Sequence, residues 1–207
     1  MTEEKNYRAS TGIDEFYYGV LDEVTNTTAA VERVKFLQTI TVEMPQEPVR
    51  AYGDNITAEL AVSSGNTSVT SGFHKVPEQD KKVLFGLEEN EGLIAYGSED
   101  TPPYVAVVFA KTYEDGSKEW VGLPKGMFMR SNITGQTKGD GVEFSSEEVT
   151  AEFMDRTVKG FENEKSAIFG RDAKGQTTNR DALFQAIFGQ AHPSVVEGGT
   201  ETTPEGV

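Results

Sequence analysis

Apolar and polar residues alternate along much of this chain with the period of two that marks half-buried strands. Between 33 and 44, Val34, Phe36, Ile40, Val42 and Met44 fall on one side. Lys35, Thr39, Thr41 and Glu43 fall on the other, and Leu37 is out of step. Pro45 and Pro48 are expected to break that run. Phe16-Tyr17-Tyr18-Gly19-Val20-Leu21 reads as a short strand. Ala51 to Asn55 carries turn chemistry, and a strand at about 57–63 is followed by the turn Ser64-Gly65-Asn66 and an expected hairpin partner at 67–74. Leu93 to Tyr96 and Lys165 to Phe169 read as short strands.

The segment Tyr104 to Tyr113 differs from these. Tyr104, Ala106, Val108 and Ala110 lie on one face and Val105, Val107 and Phe109 on the other, the pattern of a central strand covered on both sides. Glu114-Asp115-Gly116-Ser117 is a hairpin signal, and the return strand carries Trp120, Val121 and Leu123 past Pro124 to Met129. Asn132 to Gly141 reads as a polar loop. Residues 142–154 read as a long strand with Val149, Ala151 and Phe153 on one face.

The helical period appears twice. Pro77 opens a short helix at 77–86, with Glu78 and Asp80 at its positive end. Thr178 or Asn179 caps a second at about 180–188, whose stripe is Leu183, Phe184, Ile187 and Phe188 and whose end is Gly189. The pattern therefore predicts one mainly β domain over 13–189 with two helices. Residues 1–12 are expected to form a flexible arm and 190–207 a disordered tail, since both are poor in apolar residues.

Charge narrows the functions. The 207 residues carry 19 basic and 34 acidic side chains, a net charge of −15. Tight nucleic-acid binding needs cations to replace phosphate counterions, so that class is disfavoured, as is the anionic face of a membrane. No apolar run approaches the roughly 20 residues of a spanning helix, and the polar first ten residues have no secretory h-region. The chain lacks cysteine and has only His74 and His192, so thiolate metal sites, disulfides and multi-histidine centres are excluded.

Catalytic constellations are not found. There is no Gly-x-Ser-x-Gly elbow, phosphate-binding loop or calcium loop. Glu147-Glu148, Glu88-Glu89 and Glu99-Asp100 are neighbours that point apart in strands. His192 falls in the expected loose tail, unable to hold catalytic geometry. Asn26, Asn55, Asn66 and Asn132 stand in Asn-x-Ser/Thr triplets, which a Thr-rich β protein carries by composition. No cofactor or metal is expected. Phe16, Tyr17 and Tyr18, beside the polar arm, are expected either to pack as an edge strand or to dock on a neighbouring copy.

One ordered set of motifs goes further. Tyr52-Gly53-Asp54-Asn55, a hairpin and the helix at 77–86 come first. Leu93-Ile94-Ala95-Tyr96, Pro102-Pro103-Tyr104-Val105-Ala106-Val107-Val108-Phe109, the Asp115-Gly116 turn and Lys125-Gly126-Met127-Phe128 follow. Over about Ile13 to Gly175 this order resembles the major tail proteins of long-tailed phages infecting Gram-positive bacteria, the phi13-type family. The resemblance implies a β-sandwich or barrel subunit of the tail-tube type and hexameric rings stacked into a non-contractile tube. It implies tape-measure, tail terminator and distal tail or baseplate proteins as partners, transient passage of viral DNA, and a virion protein assembled in the host bacterial cytoplasm. An acidic subunit suits a bore that must pass DNA without holding it. Phe36, Val108, Phe109, Trp120 and Phe153 are expected in the core. The arm, with Phe16, Tyr17 and Tyr18, and the loop around 45–56, with Tyr52, Asp54 and Asn55, are expected at subunit contacts. The competing reading is a monomeric cell-surface or carbohydrate-binding β-sandwich, with Trp120 and the tyrosines stacking on sugars.

Overall fold

The computed structural model describes residues 7–22, 24–53, 56–133 and 145–194. In chain order it contains β1 (Ser10–Val20), β2 (Glu32–Val34), β3 (Leu37–Glu43), β4 (Gln46–Gly53), β5 (Ile56–Ser64), β6 (Thr67–Phe73) and α1 (Glu78–Phe85). There follow β7 (Glu88–Asn90), β8 (Leu93–Ala95), β9 (Val105–Tyr113), β10 (Lys118–Phe128), β11 (Glu147–Met154), β12 (Ile168–Asp172) and α2 (Thr178–Phe188). The main sheet runs β2-β1-β9-β10-β11-β6-β3, with β12 also paired to β10 and every pairing antiparallel.

The bend in β10 makes this sheet a sandwich. Its first half, Lys118–Gly122, lies between β9 and β12. Its register to β9 then slips between Leu123 and Gly126, across Pro124, which has no N–H to give a ladder. Its second half, Lys125–Phe128, pairs with β11. One strand thus passes from the β1-β9-β12 layer to the β11-β6-β3 layer. Phe16 and Phe109 from the first meet Val69, Phe73, Val149 and Phe153 from the second in one buried cluster. Phe16 and Phe73 touch edge to face at 5.1 Å, a favoured aromatic geometry. Leu84 and Phe85 of α1 add to the same cluster.

The expected two-sided strand is found. On β9, Val105, Val107 and Phe109 face the sandwich interior. Ala106, Val108 and Ala110 face a second cluster with Trp120 and the Leu183, Phe184, Ile187 and Phe188 stripe of α2. Gly122 lets that helix approach. A Cβ there would stand 2.7 Å from Ile187 Cγ1 and 3.1 Å from Leu183 Cδ1. Gly122→Ala is therefore expected to lose about 1–2 kcal/mol by overpacking, read as a lower urea midpoint at unchanged slope. The β9–β10 turn is built as its sequence signals: Gly116 takes φ +77° and Ser117 N–H donates to Asp115 Oδ1 at 2.9 Å. Gly86 ends α1 in the left-handed conformation, its N–H donating to Val83.

Several boundaries differ from expectation. The 33–44 run is split at Phe36 into β2 and β3. Phe36 is 73% exposed and not in the core, because φ +65° and a register shift beside it turn its side chain outward. Pro48 does not end a strand. It sits in β4 opposite Val62, on a two-stranded ribbon where a missing N–H can face solvent. β5 pairs with β4 and not with β6, which lies instead between β11 and β3. Ser10 and Gly12, placed in the expected arm, are in β1 and pair with Tyr113 and Thr112, and residues 1–6 lie outside the described residues. Within the expected loose tail, Gln190 Nε2 donates to Thr28 O and His192 is buried, so this first part is held; residues 195–207 lie outside the described residues. Parts of the expected 132–141 loop and of the 142–154 strand lie outside the described residues.

Candidate assembly interface

β4 and β5 form a ribbon that no other strand joins among the described residues. Gly65 N–H donates to Pro45 O at 3.0 Å and closes its root. Register places Pro48 opposite Val62 and Arg50 opposite Leu60 on one face, and Val49 opposite Ala61 on the other. Val49, Tyr52, Leu60 and Val62 are all more than half exposed. An isolated two-stranded hairpin is at best marginal in water, and bare apolar side chains on both faces add to its cost. The arrangement suits a ribbon covered by another surface. A second open apolar surface lies where Ile40, Val42 and Met44 of the β3 side face Val121 and Phe169.

The six sequence-derived contact residues separate. Phe16, Tyr17 and Tyr18 lie inside the subunit, all nearly inaccessible. Phe16 and Tyr18 enter the sandwich cluster and Tyr17 the α2 cluster, so the run of three aromatics fills two cores and offers a neighbour no surface. Tyr52 is 69% exposed on the ribbon. Asp54 and Asn55 lie outside the described residues. Leu60 and Val62 complete the apolar face. The sequence places them in a strand at about 57–63 with an expected partner at 67–74, and their spacing gives no sign that this strand stays out of the main sheet.

A polar knot fastens β1 to β10 and to the segment after α2. Glu15 Oε1 accepts from Lys118 Nζ at 2.6 Å and Oε2 from the Tyr17 hydroxyl at 2.8 Å. His192 Nε2 faces Oε2 at 3.6 Å, longer than a hydrogen bond. His192 and Lys118 hold the Glu15 carboxyl well below its ordinary value, and they outweigh burial, which works the other way. Burial and Glu15 together push the Tyr17 hydroxyl up. Burial and Asp80, which accepts from the Tyr18 hydroxyl at 2.7 Å, do the same for Tyr18.

This chemistry is structural. His192, 4% exposed, is ringed by Tyr17, Trp120 and Phe184, and its Nδ1 is used in a local turn with Ser194. A substrate has no access to it. No group of three or more acidic, histidine or cysteine side chains able to hold a metal occurs among the described residues. No described helix is long and apolar enough to cross a membrane. Trp120 is buried, so it offers no stacking platform for a sugar.

The sequence profile of the phage tail tube proteins matches residues 37–195. The chain belongs to that family. It is a structural component of a phage virion, and the matched region takes in the ribbon, the sandwich strands from β3 onward and α2, with β1 and β2 lying before it. No curated protein matches the sequence. Among solved structures, a chain of the 6-fold symmetrised cryo-EM structure of the anti-feeding prophage (AFP) baseplate is 12% identical. The alignment covers 80% of this tail tube protein and 97% of that chain, at a TM-score of 0.41.

Proposed function

We propose that this tail tube protein assembles with its own copies into hexameric rings that stack into the tube through which viral DNA passes. Its neighbours in the tail are the tape-measure protein, the tail terminator and the distal tail or baseplate proteins. Assembly takes place in the host bacterial cytoplasm. The observation that carries this reading is the β4–β5 ribbon, a hairpin that no other strand joins among the described residues, with Val49, Tyr52, Leu60 and Val62 bare. Such a ribbon gains stability by lying on an adjacent subunit, and assembly also covers strand edges that otherwise recruit wrong partners. The net charge of −15 per subunit supports the passage of DNA, since like charge keeps phosphate from adhering to the bore.

Replacing residues 47–63 by a short Gly-Ser turn tests the reading. The expected result is a folded monomer on a sizing column with no rings or tubes under negative stain, where the intact chain forms both. Normal tubes from the shortened chain would overturn it.

A further inference from the structure

Phe36 stands against its surroundings in two ways. Its ring is 73% exposed, and its φ of +65° is one that L side chains seldom adopt. The subunit nevertheless holds it there. His74 N–H donates to Phe36 O at 3.0 Å, and the two rings meet edge to face at 6.5 Å. Lys35 precedes Phe36 and Lys75 follows His74; both lysines are exposed, no described acid lies within ion-pair distance of either, and Lys75 acts at longer range on Glu147 of its own subunit. A rigid aromatic pair with a cationic rim is thus displayed on a subunit of net charge −15. Strain kept at an exposed position points to a function outside the subunit.

The complement lies elsewhere on the same chain. β7 and β8 form a second small ribbon outside the main sheet. Its residues Glu88, Glu89, Asn90 and Glu91 are exposed, and Leu93 is 76% exposed. Glu89 is held by Lys82 at 2.7 Å, which leaves Glu88 and Glu91 around Leu93. One patch is apolar with a basic rim and the other apolar with an acidic rim. Two unlike patches that fit each other join copies head to tail, an arrangement that forms a ring where the rotation between copies closes, whereas a self-complementary patch stops at a dimer.

We infer that Phe36, rimmed by Lys35 and Lys75, is the anchor by which one copy grips the β7–β8 ribbon of a second copy. Leu93 lies against the Phe36 ring, and Glu88 and Glu91 face the two lysines. This contact rests on the ring-assembly reading and names one of its interfaces.

Phe36→Gly is the discriminating variant, because glycine is at ease at φ +65°. Its melting temperature should equal or exceed that of the parent, while the concentration needed for rings rises roughly tenfold or more, as for loss of an aromatic anchor. A purely structural role would lower melting instead. K35E with K75E, and separately E88K with E91K, should each abolish rings at unchanged melting, and the four together should restore them. Rings from Phe36→Gly at the parental concentration, or a fourfold variant that melts normally without rings, would overturn the contact. If the ribbon-deleted chain has lost its rings while Phe36→Gly keeps them, the contact falls and the assembly reading stands. An intact chain that forms no rings overturns both.

Discussion

Phe184→Ala is expected to destabilise the subunit by about 4 kcal/mol, within the usual range for emptying a buried phenylalanine site. Phe184 is fully buried. Its ring meets Tyr17 at 5.1 Å, Phe188 at 5.3 Å, His192 at 4.6 Å and Trp120 at 6.1 Å, each at a steep interplanar angle. These partners come from β1, β10, α2 and the segment beyond it, so no single element can move to refill the space. A loss of that size is a large share of the roughly 5–15 kcal/mol that holds a domain folded. Trp120, the chain's one tryptophan, lies in the same cluster and reports the change directly. A urea titration followed by its fluorescence should show a lower midpoint, with emission already shifted to the red in the native variant. A loss under about 1 kcal/mol would mean that the α2 layer is not part of the cooperative unit.

What could be read beforehand, and what could not, follows from the range of the interactions. The β9 alternation and the stripe of α2 are local periodicities, and each fixed which side chains face which core. The Glu114–Ser117 turn is equally local. The partner of β5 is not. Ser64-Gly65-Asn66 looks like a hairpin turn to β6, yet β6 is claimed on both edges by β11 and β3, through registers such as Ser71 with Val149 and with Ile40. Local turn chemistry carries no information about that competition. Phe16, Tyr17 and Tyr18 were legible as a strand, but their burial on both faces depends on α2, far along the chain. His192 follows Gly189 in a stretch of weak apolar content. Rings from three separate elements surround it, and Glu15 from far along the chain faces its Nε2. The same limit applies to the ribbon: its apolar residues are visible in sequence, whereas their exposure is set by the strands that do not pair with them. Phe36 fits the inward side of its alternation, and one residue at positive φ reverses it.

Glu15→Gln is expected to cost about 2–3 kcal/mol near neutral pH, because it leaves buried partners of a carboxylate with a neutral amide. The Glu15 side chain is 15% exposed and accepts from Lys118 and Tyr17, with His192 beside it. Lys118 keeps Asp14 as a second partner at 2.8 Å, which holds the cost below that of an isolated buried pair. The residue's backbone strain, φ +49°, is the same in both proteins and cancels. pH separates charge from shape. The folded carboxyl lies well below its ordinary 4.5, so the unfolded chain binds the proton more readily. The contribution is therefore complete above about pH 4.5 and is lost as pH falls through the folded value. Self-repulsion from the net charge changes with pH almost equally in parent and variant. The stability gap between them should close steadily as pH falls below about 4.5. A gap that persists unchanged to about pH 3 would assign the loss to packing of the amide. A gap that closes would make the Glu15 charge the fastener that joins β1, β10 and the His192 segment into one body.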